Sequence, residues 1–505
     1  MLRLDGRSLA IADVVAVAYG LRPVELAPEA RERMQQTRDV VERAVARAEP
    51  VYGINTGFGK LSEITIAGDQ LASLQRNLVR SHAAGVGDAL PEPEVRAMML
   101  LRANVLATAY AGARPILVDA LLAMLNVGVW PVVPEQGSVG ASGDLAPLAH
   151  LALALIGEGT ARFRGEEGPS QALLSAAGLS PVELQAKEGL ALINGTQAHT
   201  AVATLACAEL TRLWRAAHVA TAMSLEALLG TPDAFDQRIQ EARGQSGQME
   251  SASLLRRLLQ GSEIRESHRV GDPRVQDAYA LRCVPQVHGP ALDAVRFARE
   301  IITRELNAAT DNPLVLASGE LLSGGNFHGQ AVAMASDLLA IVCANLAVIS
   351  ERRTDRLVHP DFNQGLPPFL AGAPGLESGQ MMAQVTAAAL ASECKLLAHP
   401  ASVDSIPTDG NKEDVVPMAM GAATKLRRTV RNLRHVLAIE LIAAAEALEY
   451  RRPLRSSLPV EQAHAIIRQY VSRATGDRPP SPDITALAGA IAAGAFDRIT
   501  EECIV

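Results

Sequence analysis

The chain has few aromatic residues. Phe, Trp and Tyr together make up 3% of its 505 residues, although 48% of all residues are hydrophobic. A core of this composition must be built mainly from Ala, Leu, Val and Ile, and Ala and Leu are strong helix formers. We therefore expect a mainly α-helical protein with a large buried core.

Cysteine is also scarce, and the 55 Asp and Glu residues outnumber the 47 Lys and Arg residues. The net charge of −8 argues against a nucleic-acid-binding surface. The N-terminus has no apolar run preceded by basic residues, and no window offers about 18 uncharged apolar residues, so we expect neither a secretory signal nor a membrane span. The cysteines are odd in number, scattered and without a C-x-x-C motif, which is typical of reduced thiols in a cytoplasmic protein. They are Cys207, Cys283, Cys343, Cys394 and Cys503.

Glycine and proline are distributed unevenly along the chain. Residues 1–200 contain many Gly and Pro turns between shorter helical segments, whereas residues 201–505 contain long Ala/Leu-rich segments, notably 329–358, 377–400 and 425–450. Segments of this length are expected to pack as a bundle of long helices. We expect an N-terminal domain over 1–200 and a long-helix bundle over 201–505.

The segment Gly137–His150 reads GSVGASGDLAPLAH. A nucleophile elbow, G-x-S-x-G, would need a glycine two residues after Ser142, where Asp144 stands. The phosphate-binding pattern G-x-x-x-x-G-K-[ST] also fails, because Lys60 is followed by Leu61. Alone, Ala-Ser-Gly is a common tripeptide, and a glycine-rich loop is usually a simple turn.

Other polar clusters carry candidate chemistry, each with a structural alternative. Tyr52, in the glycine-studded segment 51–59, would act as a base if positive neighbours lowered its pKa; otherwise it merely packs. The amide of Asn194 would bind a carboxylate or cap a helix. Tyr279 and Arg282 share a face if their segment is helical, and arginine either clamps a carboxylate or forms a structural ion pair.

The loop resembles the signature of the histidine/phenylalanine ammonia-lyase family. Further strings match that family in the same order: YGINTGFG, NGTQA, VQDAYALRC with PQVHG, TDNPL, SGGNFHG, LPPFL and AHPASVDSIP. The resemblance extends from about residue 4 to about residue 450. Several such strings in the right order are hard to obtain by chance, so the chain is identified as a member of this family.

The resemblance implies a cofactor made from the chain itself. In this family the backbone of Ala141, Ser142 and Gly143 condenses to the electrophile 4-methylideneimidazol-5-one (MIO). The Gly143 amide nitrogen attacks the Ala141 carbonyl carbon, which requires a tight turn and little bulk, and Ser142 loses its hydroxyl as water. Asp144 adjoins the triplet and is expected to shape its turn.

The resemblance also implies a fold and an assembly. The family fold is a long-helix bundle of the ammonia-lyase/fumarase-like type, with a smaller N-terminal domain that carries the MIO loop. The family implies a homotetramer whose active sites are each built from three subunits. A catalytically inactive helical scaffold is the alternative from a different functional class.

The resemblance assigns a role to each candidate site residue. Tyr52 would remove the β-proton of the substrate, and Arg282 would pair with its carboxylate. Residues that match the family's other positions would hold the electrophile and the substrate; they are Asn194, Gln276, Tyr279, Asn326 and Phe327. The histidines show no i, i+4 pairing with a third ligand, so we expect no metal site.

Two positions bear on substrate choice. His82 lies in a Ser-His pair that the resemblance associates with histidine-specific members, and Glu413 matches their glutamate. We therefore expect elimination of ammonia from L-histidine to trans-urocanate, the first step of histidine degradation. A phenylalanine or tyrosine ammonia-lyase, or an aminomutase, is the alternative, because Lys412, Val415 and Pro417 depart from the histidine-specific pattern.

Overall fold

The computed structural model describes residues 1–20, 22–47 and 50–503. The chain divides into two compact units. Unit 1 comprises Met1–Ala208, Ala298–Asp337 and Pro400–Lys425, and unit 2 comprises Glu209–Phe297, Leu338–His399 and Leu426–Val505. The first segment of unit 1 ends close to the domain boundary expected at residue 200, and two later segments also belong to unit 1.

Helices dominate the described residues, as the composition predicts. In chain order they are α1 (Ile11–Ala18), α2 (Pro28–Arg47), α3 (Leu71–His82), α4 (Glu92–Ala107), α5 (Pro115–Val127), α6 (Leu145–Leu155), α7 (Ser170–Ala176), α8 (Glu188–Ile193), α9 (Gln197–Ala227), α10 (Gln237–Arg243), α11 (Ser246–Leu258), α12 (Glu263–Ser267), α13 (Tyr279–Arg282), α14 (Val284–Glu305), α15 (Gln330–Val358), α16 (Met381–Leu397), α17 (Ala419–Glu449), α18 (Leu458–Tyr470), α19 (Ser481–Ala492) and α20 (Asp497–Glu502). The expectation of a mainly α fold is confirmed.

The strands are short and belong to unit 1. They are β1 (Leu2–Leu4), β2 (Val24–Leu26), β3 (Val86–Ala89), β4 (Trp130–Pro131), β5 (Pro134–Gln136), β6 (Thr160–Phe163), β7 (Glu166–Pro169), β8 (Leu314–Val315) and β9 (Leu321–Leu322). β1 pairs with β2 in parallel, and β3–β5, β4–β6–β7 and β8–β9 pair antiparallel. These small sheets connect helices and form no separate layer.

Local sequence signals explain where the core helices of unit 1 begin and end. α4 follows Pro91, carries acidic residues in its first turn and is buried on all sides, in keeping with its Ala-, Met- and Leu-rich sequence. α5 begins at Pro115 and ends at Gly128, which adopts φ +84° and so provides a left-handed C-terminal cap. Helix α4 packs against both α1 and α5, and these helices form the core of this part of unit 1.

The GSVGASGD loop lies between β5 and α6. Pairing of β3 with β5 brings the end of α3 towards the start of this loop, and α3, α6 and α8 pack on one another around it. A Cβ atom on Gly137 would lie 3.1 Å from the Cα atom of Gly85, so the two chain segments approach very closely. The loop is therefore framed by three helices and one strand pair.

A buried ion pair joins the long helices within unit 2. The guanidinium of Arg353 on α15 contacts both carboxylate oxygens of Glu440 on α17, at 2.6 and 2.8 Å, and both side chains are fully buried. The hydroxyls of Ser224 on α9 and Ser350 on α15 donate to the same carboxylate at 2.8 and 2.5 Å. Every charge in this cluster has a partner, as burial requires.

One helix, α15, is long and apolar enough to cross a membrane by length and composition alone. Within the protein, however, 67% of its most apolar 18-residue window is buried, as in the core helix of a soluble protein. Near its start, Asp337 accepts a hydrogen bond from the Ser402 amide at 2.7 Å and contacts Lys425 at 3.1 Å. The helix is therefore weak support for a membrane span.

Candidate active site

The turn at Gly143 is crowded. Gly143 has φ +73° and pairs with Gly195 in a parallel bridge, in which the Asp144 amide donates to Gly195 O at 2.7 Å. A Cβ atom at Gly143 would lie 2.1 Å from Gly195 O, so only glycine fits. Among the described residues, the buried Gly143 amide donates no hydrogen bond.

Asp144 is fully buried directly after the triplet. Its carboxylate accepts a hydrogen bond from the Ser138 hydroxyl at 2.8 Å and from the His199 amide at 2.9 Å. Burial alone would raise the pKa of Asp144, but the nearby His199 and these hydrogen bonds outweigh burial and lower it. The expectation that Asp144 shapes the turn agrees with this geometry.

Asn194 contacts the backbone carbonyl at the centre of the triplet. It follows the last residue of α8, is 4% exposed, and its side-chain amide donates to Ser142 O at 2.9 Å. The fully buried Arg102 fixes this helix end, since it donates to the carbonyls of Ala191 and Asn194 at 2.9 and 3.0 Å. Burial lowers the pKa of Arg102 to about 10, partly offset by Asp311 and Asp144. Asn194 is thus both a helix cap and a direct contact of the loop.

Glu413 meets the side chain of Ser142. The Ser142 hydroxyl donates to Glu413 Oε1, while the Thr408 hydroxyl donates to Glu413 Oε2. Thr408 and Glu413 also form an antiparallel bridge, with the Thr408 amide donating to Glu413 O at 2.9 Å. A tight turn therefore presents the carboxylate to the loop, although Glu413 is 271 residues away in sequence.

Tyr52 lies half-buried near the same carboxylates. Burial raises the pKa of Tyr52, the carboxylates of Asp409, Glu413 and Asp311 raise it further, and a hydrogen bond from the Gly59 backbone only partly opposes them. The described surroundings within this chain thus raise the pKa of Tyr52, whereas the base role considered from the sequence requires positive neighbours that lower it. The reason is that unit 1 surrounds the phenol with apolar and negatively charged groups.

His82 is the last residue of α3 and is partly exposed. Its Nδ1 lies 2.9 Å from the Leu78 carbonyl and 3.0 Å from the Ser81 hydroxyl. A carbonyl can only accept, so Nδ1 carries the proton and Nε2 of the neutral ring is an acceptor. His82 is therefore fixed as a polar group with one nitrogen left to receive a hydrogen bond.

Two adjoining clefts in unit 1 bring these residues together. Both are lined by Tyr52, Gly59, Ser142, Asp409 and Glu413. One cleft, of about 490 Å³, also includes Ala141, Phe327 and His328. The other, of about 540 Å³, includes His82 and Asn194. Volumes of this size suit an amino acid, and polar groups converge on Ser142 from both sides.

Asn326 behaves differently from its neighbour Phe327. It is exposed, lines neither cleft, and donates to the Ala309 carbonyl at 3.2 Å. Sequence reasoning also missed Asp409 and Thr408. Their only signal is the turn-forming string TDGN, and the structure shows positive φ at Asp409, Gly410 and Asn411.

The remaining predicted site residues lie in unit 2. Tyr279 and Arg282 do share a helix, α13, and the Arg282 guanidinium lies 4.7 Å from the centroid of the Tyr279 ring. Tyr279 is 71% exposed, and Gln276 lines a separate cleft beside Asp277 and Arg356. These three residues therefore belong to unit 2, whereas Tyr52, Ser142 and Glu413 belong to unit 1.

Comparison with known proteins identifies the family. The family model described as "Aromatic amino acid lyase" matches residues 9–469. The chain belongs to the aromatic amino acid lyase family. The histidine ammonia-lyase of Anaeromyxobacter sp. (strain K) is 55% identical over 505 residues, which cover 98% of this chain and 99% of that protein.

Solved structures of aromatic amino acid lyases share the fold. Histidine ammonia-lyase from Trypanosoma cruzi superposes with a TM-score of 0.93 at 40% identity and covers 100% of this chain and 96% of that chain. Tyrosine aminomutase from Streptomyces globisporus also gives 0.93, at 35% identity, and covers 99% and 98%. The protein is an enzyme, a carbon–nitrogen lyase with the family's helical-bundle fold.

Among residues 1–20, 22–47 and 50–503, no group of three or more His, Cys, Asp or Glu is arranged to hold a metal ion.

Proposed function

We propose that this protein eliminates ammonia from L-histidine to give trans-urocanate. The observation that carries the proposal is the convergence of Tyr52, His82 and Glu413 on Ser142 in the paired clefts. The identity of about half its residues with proteins named histidine ammonia-lyase, over nearly the whole chain, supports the same substrate.

We propose that Ala141, Ser142 and Gly143 form the MIO group. Three features fit its formation: Gly143 tolerates no Cβ atom, its buried amide donates no hydrogen bond to a described residue, and Asn194 fixes the Ser142 carbonyl. When formed, MIO supplies an electrophile that turns the substrate amine into a better leaving group.

The side chains around the triplet divide the work of binding and proton transfer. Tyr52 takes the β-proton, a weakly acidic one, so its phenol must lose its own proton first. His82 Nε2 accepts a hydrogen bond from the substrate imidazole, and Glu413 pairs with the same ring. A site built from such polar groups rejects a purely apolar side chain because its buried donors and acceptors would lose their partners.

We further propose a homotetramer in which each site draws on three subunits. Within this chain, burial and carboxylates raise the pKa of Tyr52, which supports an activating positive charge from another subunit. Arg282 is a cation of this kind; it is half-buried and lies against the exposed Tyr279 ring. A guanidinium is also suited to hold a substrate carboxylate. The described cysteines form no disulfide, which supports a cytoplasmic location.

The test is an ultraviolet assay with L-histidine, L-phenylalanine and L-tyrosine in separate reactions, with Ser142→Ala alongside. We expect urocanate from histidine alone, and none from the variant. Formation of cinnamate or coumarate would contradict the substrate-binding roles of His82 and Glu413 but would still support the elimination of ammonia. No product from any substrate, together with an intact mass that shows no loss of water, would contradict the proposed function.

A further inference from the structure

His199 is a fully buried histidine that no step above uses. It lies in the first turn of α9 and lines neither cleft. Its backbone amide donates to Asp144 Oδ2 at 2.9 Å, and its Nδ1 lies 2.8 Å from the same oxygen as a close polar contact, while neither ring nitrogen makes a hydrogen bond to a described residue. A buried carboxylate that faces two nitrogens of one residue has little freedom to move.

The carboxylate that His199 holds is tied to the cyclising loop. Asp144 Oδ1 accepts from the Ser138 hydroxyl at 2.8 Å, and the same hydroxyl accepts from the Gly140 amide at 3.1 Å. Gly140 immediately precedes Ala141, whose carbonyl carbon must be attacked. The orientation of Asp144 therefore fixes the backbone at the start of the triplet.

The ring of His199 also supports the loop from a second side. A Cβ atom on Gly329 would lie 2.6 Å from His199 Cε1, so the imidazole packs directly against this glycine. The Gly329 amide donates to Gly140 O at 3.0 Å. Hence His199 contacts both groups that anchor Gly140, one through Asp144 and Ser138 and the other directly.

A second buried carboxylate, Glu305, is close enough to His199 to be influenced by its charge. Glu305 accepts from the Thr196 hydroxyl at 2.5 Å, and burial raises its pKa while the neighbouring His199 lowers it. Of these two buried acids, Asp144 is the one whose carboxylate oxygen contacts His199 directly, at 2.9 Å from its amide nitrogen and 2.8 Å from Nδ1. This arrangement favours a role in fixing Asp144 over simple space filling.

We propose that His199 is a positioning residue for backbone cyclisation of Ala141-Ser142-Gly143; this inference rests on the proposed function. A bond forms between the Gly143 nitrogen and the Ala141 carbonyl carbon, and the Ala141 oxygen leaves as water with the amide protons of Gly143 and Ser142. The Ser142 hydroxyl then leaves with its Cα proton as a second water. His199 exchanges no atom in either step and acts only by holding Asp144 and Gly329.

The test compares three variants by intact mass during cell-free synthesis, measured on the folded, soluble fraction. His199→Phe keeps a ring but removes the nitrogen that lies against Asp144 Oδ2. His199→Asn returns a polar side-chain nitrogen near the position of Nδ1. Thr200→Val is the matched control, since Thr200 lies next along α9, is 1% exposed, and its buried hydroxyl has no hydrogen-bond partner among the described residues.

We expect His199→Phe to lose the two waters at a rate lower by about tenfold or more, because small displacements of reacting groups cost at least that much. His199→Asn should recover most of the rate, and Thr200→Val should match the unmodified protein. If folded His199→Phe loses both waters as fast as the control, the inference is wrong. If the unmodified protein itself never loses water, the proposed function fails instead, so the two failures are distinguishable.

Discussion

At the scale of single residues, Tyr52 combines the right position with surroundings that oppose its proposed task. It lines both clefts beside Ser142, yet burial and carboxylates raise its pKa. The motif around Tyr52 could predict that this residue belongs to the site, because the match to the family depends only on the order of residues in the chain. It could not predict the surroundings, because Asp409 and Glu413 come from a turn more than 350 residues later in the chain.

We predict that Tyr52→Phe lowers kcat by about 10²- to 10⁴-fold, the usual contribution of a general base. The loss of two waters from the triplet should be unchanged, because Tyr52 makes no contact needed for cyclisation. Activity assays and intact mass on the same preparation check both outcomes. A variant that keeps full activity would exclude Tyr52 as the base.

A second residue-scale prediction concerns Glu226 in unit 2. It is 2% exposed, and burial raises its pKa to about 7, although the Ser457 amide donates to it at 3.2 Å. Because the folded pKa lies above the unfolded value, the fold favours the protonated form, and stability falls as pH rises from about 4.5 to about 7. The ionised carboxylate then costs about 3 kcal/mol.

Glu226→Gln removes this titrating group. Relative to the unmodified protein, the variant should therefore be more stable at about pH 8 than at about pH 5, by up to about 3 kcal/mol. Urea unfolding at the two pH values measures the difference. An equal effect of the substitution at both would show that Glu226 does not titrate in the fold.

At the scale of helices, the long Ala/Leu segments were predictable because nothing in them interrupts helical propensity. The segment 329–358 corresponds to α15 (Gln330–Val358), and all but the last residue of the segment 425–450 lies within α17 (Ala419–Glu449). The partners of their charged residues were not predictable. Arg353 and Glu440 lie 87 residues apart, and no periodic pattern relates them.

We predict that Arg353→Met destabilises the protein by about 3–5 kcal/mol, because it leaves the Glu440 carboxylate buried without its counter-charge. The double variant Arg353→Met/Glu440→Leu should recover much of this loss. Arg304→Met is the control, since the Arg304–Glu300 pair on α14 is largely exposed and should contribute almost nothing. Denaturant unfolding measures the free energy of unfolding of all three variants. If Arg353→Met is as stable as Arg304→Met, the prediction is wrong.

At the scale of the whole molecule, the sequence predicted the fold class and the family through its motifs. The two compact units are less accessible to such reasoning, because unit 1 gathers segments ending at Ala208, Asp337 and Lys425 that are separated by long stretches of unit 2. Within unit 1, Ser142 and Glu413 meet across such an interval. Resemblance could name both residues, but only three-dimensional packing could show that they touch.

The proposed sharing of active sites between subunits leads to a complementation prediction. Tyr52→Phe and Arg282→Met proteins should each be inactive alone. When co-expressed with different tags and purified as mixed oligomers, they should regain about a quarter of full activity, the share of sites in which both residues are native if different subunits supply them. Mixed oligomers without activity would show that one chain supplies both residues.

The contact between Ser142 and Glu413 determines when, during synthesis and folding, the triplet acquires its complete surroundings. The surroundings of the triplet are complete only after Gly195, His199, Gly329 and finally Glu413 have been synthesised and folded into place. A nascent or damaged chain therefore lacks the contacts that surround the triplet, in which the proposed cyclisation would take place. The proposed MIO group would therefore arise only inside a finished unit 1, and its presence would show that this part of the chain has folded correctly.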